Sequence, residues 1–259
     1  VTDPAVRAAD SFGARAREYD RLRPGYPAEA LTTAVAAQGG ARPGPALDIG
    51  CGTGKLAGAL RGLGYDVLGV EPDPRMAAVA TANGVAVEVA AFEDWDDAGR
   101  RFGTVACGQA WHWLRPGYRS RRAARLLRPG GNLLLAWNFG TLNPLIARGL
   151  HRVYAGLLPD GLPAGQDGLA DLDESDAANY ARELREHGLR NVTTTVLPWY
   201  EVLTGQQWCD LLSTESRHLA LPEGTRRRLL REVGRFLDRN GGRIRVDYRC
   251  TLVSATAEG

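Results

Sequence analysis

The chain has 259 residues, a length that holds one or two domains and a core large enough to need no disulfide or metal staple. Its 32 basic and 30 acidic residues leave a formal charge of +2, which argues against a dedicated nucleic-acid binder and for a small-molecule partner. Cys51, Cys107, Cys209 and Cys250 form no CxxC pair and no cluster with histidine at metal-ligand spacing, so buried reduced thiols and no metal are expected.

The opening, VTDPAVRAADSFGARAREYD, lacks the apolar stretch of a signal peptide. With no run of about 18 apolar residues anywhere, a soluble cytoplasmic protein with no membrane partner is expected. "PALDIG" (45–50) reads as a strand and 54–63 as the helix after it. "DVLGVEP" is a second strand, followed by a helix from Pro74, where proline suits the first turn. "VAVEVAAF" and "FGTVACGQA" are the third and fourth strands. A helix around 118–127 stops at "RPGG", and "GNLLLAWN" is the fifth strand. Near-continuous apolar strands alternating with helices predict a parallel sheet covered on both faces, a doubly wound α/β domain. Beyond Asn138, helices are expected over 143–158, 175–189, 206–213 and 223–239, with strands at "NVTTTVLPWYEVL" and "RIRVDYRCTLVSATA". In the last strand Ile244, Val246, Tyr248, Cys250 and Leu252 share one face, which suggests an edge position or a strand against a cap.

The loop "LDIGCGTGKLAG" (47–58) carries the chemistry. A P-loop is excluded, because Ile49 stands where its first glycine belongs and Leu56 where its hydroxyl belongs. A dinucleotide loop fits better but imperfectly: Glu71 suits its ribose, yet Lys55 stands in place of the third glycine of G-x-G-x-x-G. S-adenosylmethionine (SAM) fits better. Asp48 at the end of strand one would repel a pyrophosphate but suits the ammonium, or a bridging water, of a methionine moiety. Glycines let backbone approach the ligand, and the helix N-terminus behind them offers N–H groups. Glu71, ending strand two, suits the two hydroxyls of a ribose.

"LDIGCGTG", "VLGVEPDPRM" and "RLLRPGGNLLLAWN", in that order and spacing, resemble class I SAM-dependent methyltransferases. "FGARAREYDRLRPGYP" and "GQAWHWL" resemble their bacterial small-molecule branch, which includes ubiquinone-biosynthesis-like and trans-aconitate-type enzymes. The resemblance spans roughly residues 10–255. It implies one α/β, Rossmann-like domain with a seven-stranded sheet in order 3-2-1-4-5-7-6, strand 7 antiparallel. Residues 1–40 would form an N-terminal lid, 41–140 the SAM-binding core, and 141–259 a helical cap insertion and the last strands. It also implies SAM, leaving as S-adenosylhomocysteine, across the carboxyl ends of strands one, two and four. Asp48, Gly50, Cys51, Gly52 and Gly54 carry over as the loop residues and Glu71 as the ribose acid. Pro72 and Met76 carry over beside the adenine, with Phe92 where relatives are often acidic. Gln109 and Tyr19 are further candidates for cofactor contact. The activity implied is methyl transfer to a small-molecule acceptor at O, N or C. An NAD-dependent oxidoreductase or a SAM-binding protein without turnover are the alternatives.

Methyl transfer from a sulfonium is an in-line displacement that needs positioning and water exclusion. It needs a base only where the acceptor must lose a proton. "GQAWHWL" follows strand four at the ligand end, so His112 is the candidate general base. Its plainer reading is an imidazole that packs and hydrogen-bonds to fix a loop. Trp111 and Trp113 are candidates for cation–π contact or an aromatic acceptor, against ordinary core packing. Arg23 and Tyr26 in the lid are candidate acceptor contacts, with docking of the lid as the alternative. Trp199 and Tyr200, like His151, Trp208, Glu215 and His218, lie in the later insertion and C-terminal part, segments from which relatives build their acceptor pocket. No N/D-P-P-Y/F motif follows strand four, which lowers a nucleic-acid substrate. "RSRRAARLLR" and "TRRRLLREVGRFLDR" read as solvated helix faces. A monomer or homodimer is expected.

Overall fold

A computed structural model describes residues 15–39, 43–162 and 174–258. The predicted lid therefore begins, at 1–14, outside the described residues. The apolar runs form parallel strands as expected: β1 (Pro45–Ile49), β2 (Asp66–Glu71), β3 (Ala86–Val89) and β4 (Phe102–Gly108). Leu47 pairs with Leu68 on one side and Val105 on the other. With β5 (Leu127–Leu142), β6 (Arg190–Thr204) and β7 (Arg243–Thr256) they make one seven-stranded mixed sheet, in the order β3-β2-β1-β4-β5-β7-β6.

The direction of β7 follows from its contacts. Ala257 N–H donates to Gly131 O over 2.9 Å, while Thr141 Oγ1 donates to Asp247 O over 3.1 Å. One index rises as the other falls, so β7 runs antiparallel to β5. Thr193 beside Ser254 and Trp199 stacked on Tyr248 give the same sense against β6. The sheet's edges are thus β3 and β6, and the residues of β6 alternate in exposure along its length. β7 is interior. Its alternation holds only from Arg243 to Cys250, after which both faces are buried to Ala255. The expectation of an edge position for β7 is corrected accordingly.

Helices are set by local chemistry. α1 (Ala16–Leu22) and α2 (Ala28–Ala36) precede the sheet. α3 (Lys55–Gly62) starts at Gly54, whose φ of +85° suits glycine. α4 (Pro74–Ala82) is capped by Asp73, which accepts from Arg75 N–H at 2.8 Å, with Pro74 in the first turn. α5 (Tyr118–Leu126), α6 (Pro144–Leu157) and α7 (Glu174–Glu186) follow. α8 (Gly205–Leu212), a short α9 (Ser216–Leu219) and α10 (Glu223–Arg239) complete the set. α8 opens on a capping box: Thr204 Oγ1 accepts from Gln207 N–H at 3.2 Å, and Gln207 returns the bond to Thr204 N–H at 2.8 Å. Thr204→Ala is expected to cost about 1 kcal/mol, read as a lower denaturant midpoint with unchanged slope.

The described residues fall into two compact units. One takes those within Val1–Arg23, Gly140–Asp171 and Pro198–Tyr248, and the other those within Pro24–Phe139, Leu172–Leu197 and Arg249–Gly259. The first has a core of Leu150, Cys209, Leu212, Leu229, Val233 and Leu237. The second packs Leu47, Ile49, Val105 and Leu133 of the sheet against Leu126 of α5 and Leu184 of α7. All four cysteines are buried and free. Among the described residues no helix is long and apolar enough to cross a membrane, and no group of three His, Cys, Asp or Glu is placed to hold a metal ion.

Candidate functional site

The carboxyl ends of β1, β2 and β4 meet in the second unit, and the glycine loop lies there. The loop is lashed to its neighbours. Gly50 and Cys51 donate backbone N–H bonds to Val70 O at 2.8 and 3.2 Å. Asn83 on the far side of α4 donates to Thr53 O at 3.1 Å. Gly50 is required twice over: its φ is +61°, and a Cβ there would stand 2.7 Å from the Ala110 Cβ. Beside the loop, Gly69 leaves room for Cys51, whose Sγ would lie 2.5 Å from any Cβ added at position 69.

Two carboxylates face this loop in opposite states of satisfaction. Glu71 is tied down: its Oε2 accepts from Gly52 N–H at 2.8 Å and its Oε1 from Asp73 N–H at 3.0 Å. A carboxylate has about four acceptor sites, so each oxygen keeps capacity for one further donor. Burial raises its pKa, and the two backbone amides oppose that rise. Asp48 is fully buried, and neither oxygen makes a hydrogen bond of normal geometry among the described residues. Burial pushes its pKa up to about 8, the Ala57 backbone opposes the shift, and Glu71 adds repulsion. A buried carboxylate without partners is costly unless a cation or donor meets it. Its surroundings fit a ligand with a positive group at Asp48 and a diol at Glu71.

The adenine-side candidates divide. Met76 is buried, its Cε 3.6 Å from the place of a Gly52 Cβ. Pro72 is exposed. Phe92 is turned into the core, where the Arg122 guanidinium lies 5.1 Å from its ring centroid.

The turn after β4 is a short 3-10 helix, Trp111–Trp113. Trp111 is fully buried in the core, whereas His112 and Trp113 are half-buried and pack together, ring centroids 5.1 Å apart. Neither ring nitrogen of His112 has a hydrogen-bond partner among the described residues. The plainer reading of a hydrogen-bonded, loop-fixing imidazole is therefore only half met: the ring packs but does not bond. Burial, helped by the Arg119 charge, lowers its pKa to about 4. Gln109, just before the turn, spends its side-chain amide on Asn138 O at 3.2 Å. Tyr26 lies against Gly108 at the end of β4, where a Cβ would come within 2.5 Å of its hydroxyl.

The solvated-face reading of "RSRRAARLLR" needs correction. Arg119 is 5% exposed, and it holds the turn from beneath. It donates to Trp111 O at 2.7 Å and pairs with Glu183 of α7 at 2.5 Å. Ser120 and Gly117 donate to the same carboxylate at 2.6 and 3.1 Å. Arg122 is also withdrawn, bonding the carbonyls of Glu93 and Trp95. The arginines alone gave no sign of this, because the carboxylate that draws Arg119 inward sits 64 residues away.

The remaining candidates belong to the first unit. Arg23 donates to Thr214 O at 3.2 Å, stands 3.9 Å from Glu215 and lies over the Tyr19 ring. Trp199 stacks on Tyr248 at 4.7 Å, and Tyr200 is 56% exposed beneath the Arg245 guanidinium. The sequence reading missed Tyr154, whose hydroxyl lies 2.7 Å from Nε2 of the buried His218. Glu215 stands 3.4 Å from the Nδ1 of that histidine.

Residues 19–194 match the family model of a methyltransferase domain. The chain is 32% identical to an uncharacterized methyltransferase of Mycobacterium bovis over 95% of both chains, and equally to one of Mycobacterium tuberculosis. Among solved structures, one described as a type II methyltransferase from Anaeromyxobacter dehalogenans superposes with a TM-score of 0.66. It is 23% identical over 92% of this chain and 99% of that one. A Haemonchus contortus phosphoethanolamine N-methyltransferase, solved with phosphomonomethylethanolamine and S-adenosylhomocysteine, has the same fold at a TM-score of 0.54. It is 16% identical over 95% of this chain and 58% of its own.

Proposed function

The chain belongs to the class I SAM-dependent methyltransferases, and from that premise we propose that it methylates a small-molecule acceptor with SAM held at the glycine loop. The observation that carries this reading is the pairing of a buried, unpartnered Asp48 with a half-satisfied Glu71 across one loop of backbone amides. Asp48 takes the ammonium of the methionine part. Gly50, Cys51, Gly52 and Gly54 let the backbone close on the ligand, and Glu71 accepts from the ribose hydroxyls with its spare capacity. Met76 and Pro72 border the adenine. Tyr26 supplies a hydroxyl at the end of β4. SAM supplies the electrophilic methyl group; the chain's part is to bind, orient and exclude water.

The test begins with calorimetric titration of S-adenosylhomocysteine against NAD. Binding of the first and not the second supports the reading; the reverse overturns it. A screen with isotopically labelled SAM then contrasts carboxylic acids with phenols, indoles and heteroaromatic amines. A product lost in mild alkali is a methyl ester, whose formation needs no base. An alkali-stable product draws in His112.

His112 is the group available to take a proton. Its lowered pKa keeps the imidazole neutral above about pH 5, so turnover through it is flat across neutral pH and falls as the pH drops through about 4. So weak a base contributes less than one tuned near neutrality, which supplies about 100-fold or more. His112→Ala is expected to leave S-adenosylhomocysteine affinity within about twofold and to slow transfer to a phenol or amine by about tenfold. Unchanged turnover with an alkali-stable product removes His112 from the chemistry.

A further inference from the structure

The segment Pro24–Pro27 has no regular structure, yet it is fixed from two sides. The Asn138 side-chain amide donates to Gly25 O at 2.8 Å. The next residue, Tyr26, lies on Gly108 so closely that a Cβ at 108 would stand 2.5 Å from its hydroxyl and 3.0 Å from its ring. The same Cβ would meet Leu56 of α3 at 3.1 Å, so the phenol and the helix that follows the glycine loop crowd one point at the end of β4.

Asn138 is itself held. Its carbonyl accepts from the Gln109 side-chain amide at 3.2 Å, and Gln109 N–H donates to Ala136 O at 2.9 Å. Gln109 is one of three non-glycine residues among those described with positive φ, at +56°. A glutamine in the left-handed region is strained, and such strain persists only where surrounding contacts over-determine it. The adjacent Ala110 abuts Gly50 of the loop. Contacts therefore run without a gap from Gly25 through Asn138, Gln109 and Ala110 to the glycine loop.

We propose that Asn138 is a positioning residue for the cofactor: it pins Gly25 so that the Tyr26 hydroxyl is held at the carboxyl end of β4 beside the glycine loop. Asparagine suits the task because its Nδ2 donates to a carbonyl at the required distance. Aspartate has the same size but no donor, and sets an oxygen against the Gly25 oxygen. The inference rests on the reading of the loop as a SAM site.

The test is a double-mutant cycle on S-adenosylhomocysteine affinity, measured by calorimetry, with Asn138→Asp, Tyr26→Ala and the pair. Asn138→Asp alone is expected to weaken binding about tenfold. In the Tyr26→Ala background the same change is expected to cost less than about twofold, because Asn138 acts through Tyr26. Full loss in both backgrounds is what a merely structural role gives, and it overturns the proposal. So does an unchanged affinity in Asn138→Asp. If the aspartate variant does not fold, Asn138→Ser, too short to reach Gly25, takes its place. The Tyr26 ring signals should then show a clear gain in mobility by NMR while amide exchange in β1 stays unchanged. An equally ordered Tyr26 ring overturns the proposal too. A wild-type chain that binds no S-adenosylhomocysteine overturns the cofactor reading beneath it, and that outcome is visible before any variant is made.

Discussion

Glu71→Ala is expected to weaken SAM binding at least about 100-fold by calorimetry. Two losses combine. The ribose hydroxyls lose a charged acceptor, at about 1.5–3 kcal/mol for each bond to a charged group. The carboxylate is also what receives the amides of Gly52 and Asp73, so its removal releases the glycine loop before any ligand arrives. Glu71→Gln separates the two. Its amide oxygen can keep one backbone bond, while its NH2 meets an N–H donor with a donor. Alanine and glutamine should therefore both bind poorly, with alanine showing the faster amide exchange at Gly52. Affinity within threefold of wild type in Glu71→Ala removes Glu71 from the ribose.

Asp48→Asn is expected to move stability and binding in opposite directions. The Asp48 carboxyl passes from an ordinary pKa of 3.8 to about 8 on burial. A carboxyl that holds its proton more tightly folded than unfolded withdraws stability as pH rises from about 4 to about 8. At pH 7 that cost is on the order of 4 kcal/mol, and asparagine carries none of it. The ligand-free variant should therefore melt higher than wild type, and its melting point should lose the steep decline between pH 5 and 8. Binding shows the other sign. An ammonium calls for the ionised carboxylate, so wild-type affinity should rise up to about tenfold per pH unit from 6 to 8, with release of a proton. The variant's affinity should be weak and flat across that range. A variant that binds as tightly as wild type at pH 8 excludes Asp48 as the ammonium's partner.

The parts of the molecule legible in the sequence are those whose causes are local. Each parallel strand announced itself as an apolar run ending in a turn, and Asp48, the glycines and Glu71 sit within two such endings. What stayed hidden depends on partners far along the chain. Arg119 looks like one of several surface arginines until Glu183 is placed beneath it. Tyr154 has no local mark and gains meaning from His218, again 64 residues off. Asn138 closes the fifth strand in the sequence and bonds Gly25, 113 residues earlier. "RPGG" reads in the sequence as a stop before the fifth strand. It lies inside β5, which starts at Leu127 because the β4–β5 register shifts between Phe102 and Thr104 and absorbs the irregular residues.

The crowding around the site's glycines has an evolutionary consequence. Gly50 holds space for Ala110, Gly69 for Cys51, and Gly108 for Tyr26. Each glycine's missing side chain is another residue's volume, so a larger residue at any of the three forces its neighbour to shift. Gly50, with its positive φ, is the least free to change, whereas at Gly69 and Gly108 the end of the Cys51 or Tyr26 side chain would have to swing away. A mutational library built one position at a time will score these glycines as poorly tolerant. A library that varies each glycine together with its neighbour can reach cofactor pockets of a different shape on the same scaffold.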